Sequence, residues 1–234
     1  MDEIRHNLDS LKKRIAGAIA RVSRPAESVR LVAVSKLKGV GEILTAIEAG
    51  QEDIGENYVS ELLQKEEELR GKKIRWHFVG HLQTRKARDL IGTVTLIHSL
   101  DSLKLAREIE KVASAKGITQ PALLQVNLSG EPSKSGMKPE EVSPFLAALS
   151  GFKHLDVTGL MTLPPLFEDP KESRPFFKKL FELRERVNRE ASFPHPLTEL
   201  SMGMSHDFEV AIEEGATIVR IGTALFGERT PPKK

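Results

Sequence analysis

Short apolar runs that return after every amphipathic segment constrain this chain more than any other feature. Leu31-Val-Ala-Val-Ser35, Asp53-Ile-Gly55, Arg75 to Val79, Thr95 to His98, Ala122 to Leu128, Asp156 to Met161, Thr198 to Met202 and Thr217 to Ile221 read as strands. Between them lie helical stretches: one around Ile43, Leu44 and Ile47 closed by Gly50, one from Tyr58 to Leu69 ended by Gly71, and one from Leu82 to Ile91. Another is N-capped by Asp101 and ended by Gly117, and the next has Pro139 in its first turn and Gly151 past its end. A long helix carries Phe176, Phe177, Leu180, Leu183 and Val187, and a short one runs from Phe208 to Gly215. Eight strands alternating with helices in 234 residues, with no linker, predict one α/β domain spanning residues 1–234, a single (β/α)8 TIM-type barrel. Leu8, Leu11, Ile15, Ile19 and Val22 add an N-terminal helix that stops before Pro25 and caps the barrel bottom or packs outside. Neither the Rossmann glycine fingerprint nor a P-loop is present, which argues against a doubly wound nucleotide fold.

Composition then removes whole classes of chemistry. With no cysteine there is no thiolate catalysis, disulfide, Cys-ligated zinc or iron–sulfur cluster. The 35 Lys+Arg against 33 Asp+Glu leave a formal charge of +2, too balanced for a protein that coats nucleic acid. At 39% hydrophobic and 29% charged the chain has the apolar stock of a packed fold. The start, MDEIRHNLDSLKKRIAG, is charged from its second residue and has no apolar signal core, and no run approaches the ~18 apolar residues of a membrane span. The expectation is a soluble, cytoplasmic protein.

In a barrel of this type the chemistry gathers where strands end. The first strand ends in Ser35-Lys36. A lysine partly removed from water supplies a free amine for Schiff-base formation, although a strand-end lysine also snorkels readily into solvent. The seventh and eighth strands end in Ser201-Met-Gly-Met-Ser205 and Arg220-Ile-Gly-Thr223. Loops at these two positions often bind phosphate, and the same glycines also serve plain tight turns, with Ser205 as a helix cap. Strand alternation puts Arg220 on the side of Ile218, where a buried guanidinium needs a partner: a ring nitrogen of a cofactor or a barrel carboxylate. An amine, a phosphate cradle and an arginine at three strand ends match the aldehyde, phosphate and pyridine ring of pyridoxal 5′-phosphate (PLP). His77 and His81 have the separation of zinc ligands but bracket a strand end, so no metal site is assigned.

These residues are familiar as a set. The blocks Val32-Ala-Val-Ser-Lys36, Gly55-Glu-Asn-Tyr58, Trp76-His-Phe-Val-Gly80 with Leu82-Gln83, Ser133-Lys-Ser-Gly136, Gly159-Leu-Met161, Leu200-Ser-Met-Gly-Met-Ser205 with Asp207, and Val219-Arg-Ile-Gly-Thr223 cover nearly the whole chain. In that order they resemble the YggS/PROSC family of pyridoxal phosphate homeostasis proteins, which share the fold-type III barrel of the alanine racemase N-terminal domain. The resemblance implies that Lys36 holds PLP as a Schiff base, that Ser201, Ser205, Gly222 and Thr223 surround its phosphate, and that Arg220 faces the pyridine nitrogen. It also implies that Asn57 lies beside the cofactor and that Lys134 belongs to a secondary cofactor site. One block departs from the family pattern Leu-Gln-x-Asn-Lys: here it reads Leu82-Gln-Thr-Arg-Lys86. Arg85, Lys86 and Arg88 form either a phosphate or partner patch or a solvated helix face.

An arginine opposite the pyridine nitrogen disfavours its protonation and weakens the ring as an electron sink. That suits simple holding or racemisation better than transamination or decarboxylation. The alanine racemase relatives use a tyrosine from an additional β-domain as the second base, whereas the one tyrosine here, Tyr58, follows the second strand. No catalytic residue is therefore assigned. The sequence reads as a monomeric carrier that buffers PLP and passes it to PLP-dependent apo-enzymes. A single-domain amino-acid racemase using Tyr58 or a histidine is the alternative, and a barrel that binds a sugar phosphate without a covalent link is a third reading.

Overall fold

The computed structural model describes residues 2–131, 135–190 and 195–228. Eight parallel strands close into a barrel in chain order: β1 (Arg30–Val34), β2 (Asp53–Glu56), β3 (Arg75–Phe78), β4 (Leu96–Leu100), β5 (Gln120–Gln125), β6 (Leu155–Met161), β7 (Glu199–Ser201) and β8 (Ile218–Ile221). Closure comes from β1 pairing with β8 in the register Leu31↔Val219 and Val32↔Arg220. Every strand pairs with two neighbours, so no edge is left exposed.

Burial on both faces explains the near-continuous apolar runs. One parity points inward, where Val32, Leu96, Leu123, Met161 and Ile218 form a small interior cluster. The other parity, including Leu31, Ala33, Ile54, Phe78 and Val219, packs under the surrounding helices in the main core. Those helices are α1 (Asp2–Arg21), α2 (Val40–Glu48), α3 (Val59–Glu68), α4 (Ala87–Leu90), α5 (Leu103–Lys116), α6 (Val142–Ala148), α7 (Arg174–Glu190), α8 (Phe208–Glu213) and α9 (Thr223–Phe226). The N-terminal helix α1 packs outside, against α2, α8 and α9, burying Ile4, Leu8, Leu11, Ile15, Ala18 and Ile19. Arg14–Glu209 and Arg21–Glu213 ion pairs flank that contact.

Two local expectations change. The helix foreseen over 82–91 is a 3-10 turn, Thr84–Lys86, followed by the single turn of α4. The helix starts late because Gln83 is still extended, while Gly92, at φ +87°, turns the chain toward β4 about where the foreseen helix was to end. Helix α5 is capped by Ser102, whose hydroxyl accepts from Leu105 N at 3.3 Å, and not by Asp101. Asp101 lies one residue too early and pairs with His81 at 3.4 Å. Gly117 closes α5 in the left-handed conformation, as its place in the sequence suggests.

Candidate functional site

A cavity of about 710 Å³ opens at the C-terminal ends of the strands. Lys36, Asn57, Ser205, Arg220, Gly222 and Thr223 all line it, beside apolar walls from Val34, Val79, Leu163, Leu166 and Met204. This size is ordinary for a small-molecule pocket.

Lys36 follows β1 in a turn that the chain holds from behind. Ser35 N donates to Gly55 O at 2.9 Å, and Leu37 takes the left-handed conformation at φ +62°, rare for a branched residue. The hold is ionic. Lys65 of α3 donates to Glu56 Oε1 at 2.6 Å, Glu61 Oε1 at 2.7 Å and Ser35 O at 2.8 Å. Ser35 Oγ also donates to Glu56 at 2.6 Å, and Leu37 N to Glu61 at 2.7 Å. Backbone groups on both sides of Lys36 are thus tied to one buried ammonium–carboxylate cluster. Burial pushes the Glu56 carboxyl up, with the Lys65 and Ser35 hydrogen bonds working against it.

Arg220 points into the barrel with Ile218, as strand parity requires. Its Nη1 donates to Ser201 Oγ at 2.6 Å and its Nη2 to Thr162 O at 2.9 Å. Among the described residues no carboxylate lies within ion-pair distance. Burial lowers the guanidinium to about 10, opposed by the more distant charge of Asp207, so it remains a cation at neutral pH. A buried cation with only neutral partners is the unusual feature of this cavity.

The loops after β7 and β8 form the polar end. Asp207 Oδ1 accepts from Met204 N at 2.7 Å, and Ser205 Oγ accepts from Ala224 N at 3.2 Å, tying the two loops together. A Cβ at Gly222 would stand 3.1 Å from Val34 O, so glycine lets this backbone lie close against β1. Across the cavity Asn57 keeps its Oδ1 buried with no hydrogen-bond partner, leaving an acceptor for a ligand.

Ser201 does not line the cavity. It ends β7 on the inward parity, fully buried, and its hydroxyl is engaged by Arg220 and by His98 Nδ1 at 2.8 Å. That position beneath the arginine departs from the phosphate shell implied by the resemblance. Lys134 lies outside the described residues. Tyr58 is 53% exposed and borders a neighbouring pocket, not the cavity of Lys36. His77 is buried in the barrel and His81 exposed on its rim, so the two point to different surroundings. Arg85, Lys86 and Arg88 are exposed, with Arg85 Nε donating to Gln83 Oε1 at 3.1 Å. Sequence reading missed His206, which borders the cavity and meets Glu168 O at 3.0 Å, and missed the Lys65 cluster entirely. A lysine inside an amphipathic charged helix carries no local sign of burial.

Residues 1–230 match the family model for the alanine racemase N-terminal domain. The chain is 46% identical over 224 residues to the pyridoxal phosphate homeostasis protein of Aquifex aeolicus, covering 95% of this chain and 96% of that one. PipY of Synechococcus elongatus, solved with PLP bound, superposes with a TM-score of 0.81 at 36% identity, covering 91% of this chain and all of that one. An alanine racemase of Clostridium difficile shares the fold, with a TM-score of 0.76 at 18% identity over 100% of this chain and 58% of that one. The chain therefore belongs to the family of pyridoxal phosphate homeostasis proteins, built on the alanine racemase N-terminal domain.

Proposed function

We propose that this protein binds PLP covalently at Lys36 and serves in PLP homeostasis as a carrier and buffer. One observation carries the reading: Arg220, a buried cation with no carboxylate within ion-pair distance among the described residues, shares a single cavity with Lys36. Bound PLP supplies an aldehyde that an amine attacks with loss of water, a phosphate, and a pyridine ring. The Lys36 amine is the group that condenses, held in place by the Lys65 cluster behind its turn. Arg220 takes the pyridine end, where its fixed positive charge opposes protonation of a ring nitrogen. Ser205, Gly222 and Thr223 take the phosphate end, and Asn57, across the cavity from them, lies beside the cofactor. The names of the curated relatives and the PLP held by PipY support the same reading.

The remainder of the proposal concerns setting. No helix among the described residues is long and apolar enough to cross a membrane. We read residues 1–234 as one monomeric cytoplasmic domain, with PLP-dependent apo-enzymes as recipients. Borohydride reduction of the PLP-loaded protein followed by peptide mass spectrometry tests the reading. The expected adduct sits on Lys36, and Lys36→Ala abolishes both the adduct and the yellow colour. An adduct elsewhere, or colour kept by Lys36→Ala, refutes covalent holding at this site, and binding of phosphate compounds without any adduct would favour the sugar-phosphate reading. Rapid exchange of an amino acid's α-proton in deuterated water would replace the carrier by a racemase.

A further inference from the structure

A single line of hydrogen bonds crosses the barrel interior from one mouth to the other. At the mouth formed by the strand starts, Arg75 grips Asp53 through Nε–Oδ1 at 2.9 Å and Nη2–Oδ2 at 2.6 Å. Asp53 Oδ1 meets His77 Nε2 at 2.9 Å, His77 Nδ1 meets His98 Nε2 at 3.0 Å, and His98 Nδ1 meets Ser201 Oγ at 2.8 Å. Ser201 then meets Arg220 in the cavity at 2.6 Å. His77, His98 and Ser201 are completely buried, so water cannot substitute for a missing member.

The two ends fix the direction of every bond between them. A guanidinium can only donate, and an ionised carboxylate can only accept. Starting from Arg220, Ser201 accepts, and among the described residues the acceptor for its own proton is His98 Nδ1. His98 then carries its proton on Nε2 and gives it to His77 Nδ1, and His77 in turn donates from Nε2 to Asp53. Starting from Asp53 gives the same assignment. With both histidines neutral, the pattern closes only in the Nε2–H form of each. A proton added to either ring makes His98 Nδ1 a donor to an oxygen that already accepts from Arg220, which leaves the Ser201 hydroxyl proton without its acceptor.

The surroundings favour that state. Burial lowers both histidines, His98 strongly, and the cations Arg30 of β1, Arg75 of β3 and Arg220 of β8 act in the same direction. Asp53 pulls His77 the other way without overcoming burial. Burial also pushes the Asp53 carboxyl up, but hydrogen bonds from Arg75 and His77 outweigh it and hold the group far below the usual carboxylate range.

We propose that Asp53, His77 and His98 are positioning residues for Arg220, acting through Ser201 to hold its guanidinium in one orientation at the pyridine end of the cavity. The functional half of this statement rests on the PLP reading above, while the hydrogen-bond polarity does not. Ser201 is the link to cut, because Ser→Ala removes one oxygen and leaves the packing nearly unchanged.

Long-range ¹H–¹⁵N spectra of the histidine rings, taken on protein free of PLP, test the polarity. Both buried histidines should be neutral, protonated on Nε2, and unchanged between about pH 8 and pH 6. An Nδ1–H form of either ring, or its protonation in that range, overturns the proposal. In Ser201→Ala both rings should keep their Nε2–H forms, because Asp53 still fixes them, while the His98 Nδ1 resonance shifts on losing its hydrogen bond from Ser201. The same variant should still form the Lys36 adduct but hold PLP about tenfold more weakly. His98→Asn, whose amide oxygen can accept from Ser201 in place of Nδ1, should recover most of the affinity that His98→Leu loses. Unchanged PLP affinity in both Ser201→Ala and His98→Leu overturns the positioning role. A wild-type protein that forms no adduct at all would count against the PLP reading, and the ring spectra would still decide the polarity.

Discussion

Removing Lys65 isolates the device that sets the Lys36 turn. Lys65→Met keeps the length of the side chain but deletes the ammonium that Glu56, Glu61 and Ser35 share. The Glu56 side chain has 0% exposure, so the substitution strands a carboxylate without water or counter-ion. Breaking one side of such a buried pair costs about 3–5 kcal/mol when the remaining group stays charged. Glu56 escapes part of this by taking up a proton, which gives the effect a sign in pH. Its carboxyl already lies above its ordinary 4.5 when folded, because burial outweighs the hydrogen bonds from Lys65 and Ser35. A group whose folded pKa exceeds its unfolded one adds stability below the unfolded value, and that contribution is lost as pH rises through the folded value. Without Lys65 the folded pKa climbs further, so the variant loses ground relative to wild type as pH rises through the wild-type folded value, which itself lies above the ordinary one. At about 1.4 kcal/mol per pH unit of unmatched titration, the penalty should grow from about 1–2 kcal/mol near pH 5 to about 3–5 kcal/mol near pH 8. Urea unfolding at both pH values measures it. Glu56→Gln in the Lys65→Met background should recover most of the loss near pH 8, since both charges are then gone. A penalty independent of pH, or below about 1 kcal/mol near pH 8, would refute the account of Glu56 as a charge held in place by Lys65.

Other substitutions test the frame around the site. At Gly80 a Cβ would fall 2.1 Å from Asn57 O, a backbone atom. Gly80→Ala should therefore lower stability by about 1–3 kcal/mol and displace Asn57, read by thermal melting and by weakened PLP retention. Ser102→Ala should cost about 1 kcal/mol through loss of the α5 cap, whereas Asp101→Ala should cost clearly less; equal effects in urea titrations would return the cap to Asp101. Leu8 of α1 is fully buried, so Leu8→Ala should cost about 2–5 kcal/mol, and a smaller loss would mean that α1 is dispensable to the barrel.

Much of this architecture is written in local sequence. Runs apolar at both parities, each followed by an amphipathic stretch, specify strands buried on two faces, and eight of them require closure or a doubly wound sheet. Strand ends identify the functional rim, so Lys36, Ser205, Arg220 and Gly222 could be picked out from position alone, and Asn57 followed from the family blocks. Parity also restricted Arg220 to two destinations.

Parity cannot say which inward residues meet, and that choice is made by the register of the closed sheet. His98 and Ser201 stand 103 positions apart, yet share a hydrogen bond because β4 and β7 face each other across the same interior. Ser201 looked like part of a phosphate loop until that geometry turned its hydroxyl toward Arg220. Lys65 looked like one more charge on a solvated helix, and only the packing of α3 behind the Lys36 turn made it a buried ion. Local pattern fixes which face a side chain occupies through bond geometry. Its partner, and hence its charge state and role, depends on long-range closure that brings distant strands to within a hydrogen bond of each other.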